Sequence, residues 1–496
     1  MTRVVVLGRD AALWLSAAVL QRALGPSWVT VTAVELPSAL AAADIHAALP
    51  PLEALHNQLR IDEDALIRLT GGAFSLGQNF VDTVAGTPAF LHAYGSAGAQ
   101  IDGRDFFAYW VKARAHGLAV GLEDFSLTAS AARQGRLLIP DDDTEVYGRA
   151  DYGYHLPAHA YTAVLKDIAL HHGATVLAAT EAQAMLHPET GDIAALALDG
   201  GRSVEADLFV DATGAEALLI GQALGVPVED WRGMFPADRV LAAMAPRFAS
   251  LPVYAELRAS ETGWTGLYPS QAGTHVLHAF SSAVHGDDHA LEAAASASGL
   301  PLAGAAVRAS APGRRTAGWA RNCVALGEAA CAFDPVHGVE LHAIQLGLIN
   351  LLARFPSRGG HAAQRDEFNR VTRAAFERVR DFQSAHYALN RYGEGPFWSQ
   401  ARAARVSPDL AHRVALFAAR GEIAPWEDES FAPDSWRMLF TGHGLSPQSW
   451  LPAIDKTSPD EMKAAFRRML GFVREQVLRQ PTHDAYLARL AGGAHG

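Results

Sequence analysis

The opening β-α-β pattern constrains the fold more than any other stretch. Val4, Val5, Val6 and Leu7 make a short, continuous run of apolar residues, the mark of a strand buried on both faces. Gly8 follows. Residues 11–24 then carry an apolar helix pattern, and residues 29–34 form a second β-branched run closed by Glu35. Strand, helix and strand in this order predict a β-α-β unit, hence a parallel sheet and an α/β fold. In such a unit the turn after the first strand can cradle a pyrophosphate, and an acid closing the second strand can hold ribose hydroxyls. The turn departs from Gly-x-Gly-x-x-Gly. Gly8 is present, but Asp10 and Leu13 stand where the second and third glycines belong. Asp10 adds bulk and negative charge beside a pyrophosphate, and Leu13 widens the contact between helix and strand. The unit is expected to fold, with dinucleotide binding weakened.

A chain of 496 residues, 49% hydrophobic and 19% charged, can bury a large core in two or more lobes. Its net charge of −12 disfavours nucleic acid and anionic membrane as partners. No apolar run has the length of a membrane span, and a basic-then-apolar leader is missing. The two cysteines, Cys323 and Cys331, fall within one motif, so no structural disulfide is expected and a reducing cytoplasm fits. The 21 histidines include no His-Glu-x-x-His and no compact ligand cluster, so a metal site is not expected.

Further motifs lie along the rest of the chain. Cys323, Val324, Ala325 and Leu326 form an apolar run ending at Gly327 and Glu328; Asp334 and Pro335 follow, then a long apolar helix pattern. Val210, Asp211, Ala212, Thr213 and Gly214 read as a strand ending in a glycine turn. Phe74, Leu76, Gly77 and Phe80, then Trp264 and Pro269, then His386, Tyr387, Arg391, Pro396, Phe397 and Trp398, complete a pattern spanning nearly the whole chain. With Trp14 directly after the first turn, it resembles the flavin-dependent tryptophan halogenases.

The resemblance implies a two-domain FAD-monooxygenase-like fold: a Rossmann-type nucleotide-binding core with a substrate-side sheet, followed by a helical C-terminal region. Nucleotide-binding parts are expected at about 1–110, 160–225 and 305–355 within a composite domain 1–355, and a helical cap at 356–496. It implies FAD, reduced by a separate flavin reductase and held by Gly8, Ala11, Ala12, Glu35, Gly214, Gly327, Glu328 and Asp334. It implies an aromatic-substrate pocket that includes Trp264, Tyr387, Phe397 and Trp398.

The same resemblance exposes departures. The family's lysine in Phe-Lys-Leu-Gly falls on Ser75, expected on a helix or turn facing the substrate chamber, and no lysine precedes Lys112. The family carboxylate falls on His337, and the halide-holding amides on Val339 and Glu340. The flavin loop keeps Pro50, Pro51 and Leu52, but its Gly-Glu-Ala centre is altered, with Ile45 and His46 in place of Gly-Glu. In the Trp-x-Trp-x-Ile-Pro signature, Gly266 and Tyr268 replace tryptophan and isoleucine, implying a smaller screen between flavin and substrate. Serine has neither the charge nor the nucleophilicity of the lysine. The expected activity is FAD-dependent oxygenation of an electron-rich aromatic compound, with His337 as acid or base; a slip in register would instead make Glu340 the functional carboxylate. Two alternatives stay open: a non-catalytic partner subunit or ligand binder, and a true halogenase with relocated residues. A homo- or hetero-dimer is also left open.

Overall fold

The computed structural model describes residues 2–138, 151–356 and 361–492. The chain forms two compact units. The first comprises Met1–Gly72, Leu156–Gly233 and Ala309–Arg380; the second comprises Ala73–His155, Met234–Arg308 and Asp381–Gly496.

The first unit contains the expected β-α-β element. Strand Thr2–Gly8 pairs in parallel with Val29–Glu35, from Thr2 opposite Val29 to Gly8 opposite Glu35. Val4, Val5, Val6 and Leu7 are all buried, as continuous apolar runs are when helices cover a parallel sheet. The intervening helix, Asp10–Trp28, has its helical dihedrals broken at Gly25 (φ 66°), where the apolar pattern also ends. Six strands make the sheet, in the order Trp319–Ala320, Cys323–Ala325, Leu208–Ala212, Thr2–Gly8, Val29–Glu35, Thr175–Ala178. All but the first pairing are parallel. Helices Ala158–His171 and Glu340–Ala353 pack against Asp10–Trp28.

Register then fixes where a ligand can sit. Gly8 lies opposite both Ala212 and Glu35, and Asp211 lies opposite Ala325. The turns leaving these strands therefore share the C-terminal edge of the sheet, where open parallel sheets bind their ligands.

The second unit is built on a seven-stranded sheet, in the order Ala303–Ala309, Arg239–Ala245, Thr274–Phe280, Gly263–Pro269, Ala255–Ser260, Gly77–Asp82, Phe90–Ala93. Strands Ala255–Ser260 and Gly77–Asp82 are parallel, while the hairpin Gly263–Pro269 with Thr274–Phe280 is antiparallel. The chain end is helical, as expected: Pro396–Ala403, Pro408–Arg420, Pro433–Gly442, Pro459–Arg479 and His483–Gly492. The first four open on a proline, whose missing N–H costs nothing at that position. Ser407 caps Pro408–Arg420 through the Leu410 amide, and Ser458 with Glu461 forms a reciprocal cap on Pro459–Arg479. In the first unit, helix Glu63–Thr70 is capped by Asp62, which accepts from the Ala65 amide. Among the described residues, no helix is long and apolar enough to cross a membrane.

Candidate functional site

Three glycine turns converge at the C-terminal edge of the parallel sheet. A Cβ on Gly8 would lie 2.4 Å from the Ala212 carbonyl oxygen, so only glycine lets these strand ends meet. Gly214 has φ 71°, and a Cβ on it would lie 3.7 Å from the Glu328 carboxylate. Gly327 has φ 61°; a Cβ there would meet Ile344 at 3.2 Å and Ala12 at 3.6 Å. Gly8, Ala12, Gly214, Gly327 and Glu328 are thus brought to one place, with Ala11 buried in the first turn of the helix. Close backbone approach and a helix N-terminus are what a dinucleotide pyrophosphate requires, so these residues fit FAD.

The two departures in the fingerprint are absorbed differently. Asp10 has φ 56°, the left-handed region a glycine would supply and which aspartate tolerates better than most residues. Its carboxylate accepts the Ala39 amide at 3.1 Å, so the path of the turn is kept and the charge has a donor. Leu13 is fully buried and belongs to the core.

Glu35 is already engaged. Both of its carboxylate oxygens accept from Lys166 Nζ, at 2.9 and 2.7 Å, and that ammonium lies 5.1 Å above the Trp14 ring. A carboxylate in this pair keeps lone pairs for a ribose hydroxyl, but its charge is neutralised.

The sequence reading missed Asp211. It is fully buried; one oxygen accepts the Thr213 amide at 3.1 Å and hydroxyl at 2.6 Å, and the other accepts the Leu219 and Ile220 amides at 2.8 Å each. Four donors on one buried carboxylate hold the Ala212-to-Gly214 turn in place. An acid closing an apolar strand was the signal.

In the turn before helix Glu340–Ala353, Asp334 is buried and accepts the Val336 amide at 3.0 Å, so that oxygen is turned to its own loop. His337 is fully buried with φ 72°. Gly338 has φ 58°, and a Cβ on it would lie 2.6 Å from the Ala47 Cβ, so the turn presses against strand Ile45–Ala48. Val339 caps the helix and Glu340 is its first residue, an acid at the positive end of the helix dipole. His337 and Glu340 therefore flank a single turn.

In the second unit, Ser75 ends strand Ala73–Ser75, opposite Gly153. This corrects the expectation of a helix or turn: the apolar, β-branched-poor sequence gave no period, and pairing decided it. Ser75 is 1% exposed, and its hydroxyl donates to the Gly77 carbonyl at 3.2 Å. It also bonds the Tyr94 phenol, whose pKa burial pushes up while the Ser75 bond pulls it down.

Trp264, Tyr387, Phe397 and Trp398 form one buried cluster. Trp264 Nε1 donates to the Tyr387 hydroxyl at 2.7 Å, Trp398 Nε1 donates to the Ser260 carbonyl at 2.6 Å, and Phe397 meets Trp398 edge-on at 4.9 Å. The Tyr268 ring lies over the space above Gly266, where a Cβ would come 2.6 Å from it, and Tyr268 is fully buried.

Nearby, Gln78 and His92 sit opposite each other on adjacent strands, both buried. Burial lowers the His92 pKa to about 4, so the ring is neutral near pH 7. Both amide atoms of Gln78 lack a partner among the described residues. A polar pair in an apolar wall is the kind of handle that orients a small ligand. Neither residue was singled out from sequence.

Comparison with known proteins agrees with this geometry. The tryptophan halogenase family model matches residues 3–459. The flavin-dependent halogenase BrvH from Brevundimonas sp. BAL3 is 32% identical, with a TM-score of 0.91 and 99% of both chains covered. The flavin-dependent halogenase Xcc4156 from Xanthomonas campestris is 30% identical, with a TM-score of 0.92, covering 99% of this chain and 98% of that one. Tryptophan 7-halogenase KtzQ of Kutzneria sp. (strain 744) is 26% identical over 534 residues, 99% of this chain and 98% of its own. A glycine-turn cradle at the sheet edge, a buried aromatic cluster in the second unit and a match along nearly the full length place this chain in the flavin-dependent tryptophan halogenase family, whose FAD is reduced by a separate flavin reductase.

Proposed function

We propose that this protein is an FAD-dependent oxygenase of small, electron-rich aromatic compounds that does not halogenate by the lysine route. The observation that carries the reading is Ser75: a buried hydroxyl, bonded to Tyr94 and the Gly77 carbonyl, stands where the family ammonium is expected. A neutral hydroxyl so engaged cannot capture or polarise an oxidised halide.

FAD, when bound and reduced, supplies the two electrons that activate O2. One oxygen atom enters the ring in place of hydrogen and the other leaves as water. The chain's residues do the rest. Gly8, Gly214 and Gly327 would let the cofactor's diphosphate approach the sheet edge, and Glu328 and Glu35 would be its hydroxyl acceptors. His337, where the family has a carboxylate, accepts the ring proton at an imidazole nitrogen. Glu340 places a carboxylate, rather than an anion-binding amide alone, at the helix start. In the second unit, Trp264, Tyr387, Phe397 and Trp398 form a buried aromatic cluster suited to stacking on an aromatic ring. The buried thiols of Cys323 and Cys331 suit a reducing cytoplasm.

With flavin reductase, NADH, FAD and bromide, tryptophan and indole are expected to be recovered without bromine. Ser75→Lys alone should leave that result unchanged, because the turn at 337–340 differs as well and such groups act as a unit. Flavin-dependent bromination by wild type, read by mass spectrometry, would overturn the proposal.

The Glu35–Lys166 ion pair favours a second reading, a chain that holds FAD weakly and serves as a partner subunit or ligand binder. Titration of the purified protein with FAD separates the two: sub-micromolar affinity and a yellow preparation would exclude the non-catalytic reading.

A further inference from the structure

We propose that Arg9 is a pyrophosphate contact for FAD, its guanidinium exchanging the Glu216 carboxylate for the cofactor's diphosphate. This rests on the FAD reading and extends it to a residue outside the glycine pattern. Arg9 lies between Gly8 and Asp10, at the cap of helix Asp10–Trp28, and its amide donates to the Ala212 carbonyl at 3.3 Å. Backbone bonding therefore anchors the residue in the turn itself.

The side chain is 19% exposed, with Nη2 donating to Glu216 at 2.9 Å. Nε is buried and has no partner among the described residues. A guanidinium carries five donors in a planar fork suited to paired oxygens, and one carboxylate leaves most of them unused. Glu216 belongs to the short helical turn Gly214–Glu216, directly after the glycine that faces Glu328. The residues facing this edge thus include three acids, Asp10, Glu216 and Glu328. Asp10 is committed to the Ala39 amide. Arg9 is the cation in the turn itself, and without it a diphosphate would meet like charge from Glu216 and Glu328. Glu216 is half exposed, and such an ion pair contributes little in water, so it yields easily to a doubly charged ligand.

The test is equilibrium binding of FAD, ADP and adenosine to the full-length protein, followed by fluorescence and calorimetry. Arg9→Met should weaken FAD and ADP about tenfold or more, the scale of one lost charged hydrogen bond, and leave adenosine unchanged. Glu216→Gln should tighten FAD and ADP, because it removes the competitor. A purely structural Arg9–Glu216 pair predicts the same sign for both substitutions. Arg9→Gln serves as a second variant, with circular dichroism as the check on folding. Unchanged FAD affinity in the folded Arg9 variants, or weaker binding in Glu216→Gln, would overturn the inference alone. Wild-type protein that binds neither FAD nor ADP would overturn the cofactor reading with it.

Discussion

Below pH 6.5 the folded protein is expected to lose stability steeply. Burial holds seven histidines neutral: His56, His92, His278, His342 and His483 are lowered to about 4, and His155 and His443 to about 3, from an ordinary value of 6.5. Burial is the leading cause in each, and Arg391 adds repulsion at His443. Above pH 6.5 these rings are neutral whether the chain is folded or not. As pH falls through 6.5 the unfolded chain takes up protons that the folded chain refuses, and this continues until pH reaches the lowered values. Each ring then costs about 1.4 kcal/mol per pH unit. A third of the combined effect, roughly 3 kcal/mol per unit, would consume a typical folding stability of about 5–15 kcal/mol within a few units. Melting temperature measured against pH should be flat above pH 7 and drop sharply toward about pH 5. A flat profile down to pH 5 would show that these rings are not held neutral.

Gly266→Leu is expected to cost about 3 kcal/mol, near the upper end for overpacking a core. Even a Cβ at 266 comes 2.6 Å from the Tyr268 ring, and Tyr268 cannot swing to solvent because it is fully buried and meets His155 edge-on at 5.6 Å. Tyr268→Ala alone should cost a comparable amount by leaving a cavity. The double variant keeps the summed side-chain volume nearly constant, so it should be more stable than either single variant in chemical unfolding. That non-additivity is the signature of two side chains sharing one space. Additive losses would mean the ring does not fill the room above Gly266.

The strands of the nucleotide unit were legible because their residues advertise burial on both faces. Val4 to Leu7 and the run closing at Glu35 lie where the β-branched pattern puts them. The convergence of Gly8, Gly214 and Gly327 was legible as glycine at strand ends. What sequence could not carry was side-chain direction. Asp10 reads as a defect in a fingerprint, yet its φ of 56° lies in the left-handed region that glycine favours. Gly266 reads as a lost barrier, but the tyrosine two residues on covers it. Lys166 is distant from Glu35 in the chain, and no local pattern links them. Gln78 and His92 look like ordinary strand residues until pairing sets them opposite each other in a buried wall.

The central claim is oxygen transfer to an aromatic ring. The direct measurement is reaction of the protein with FAD, flavin reductase, NADH and a panel of indoles and phenols under heavy-isotope O2, with products read by mass spectrometry. The expected result is a hydroxylated product carrying one heavy oxygen, formed only when FAD and the protein are both present and lowered in His337→Ala. NADH consumed with every aromatic compound recovered unchanged, and the heavy isotope found only in water and hydrogen peroxide, would contradict it.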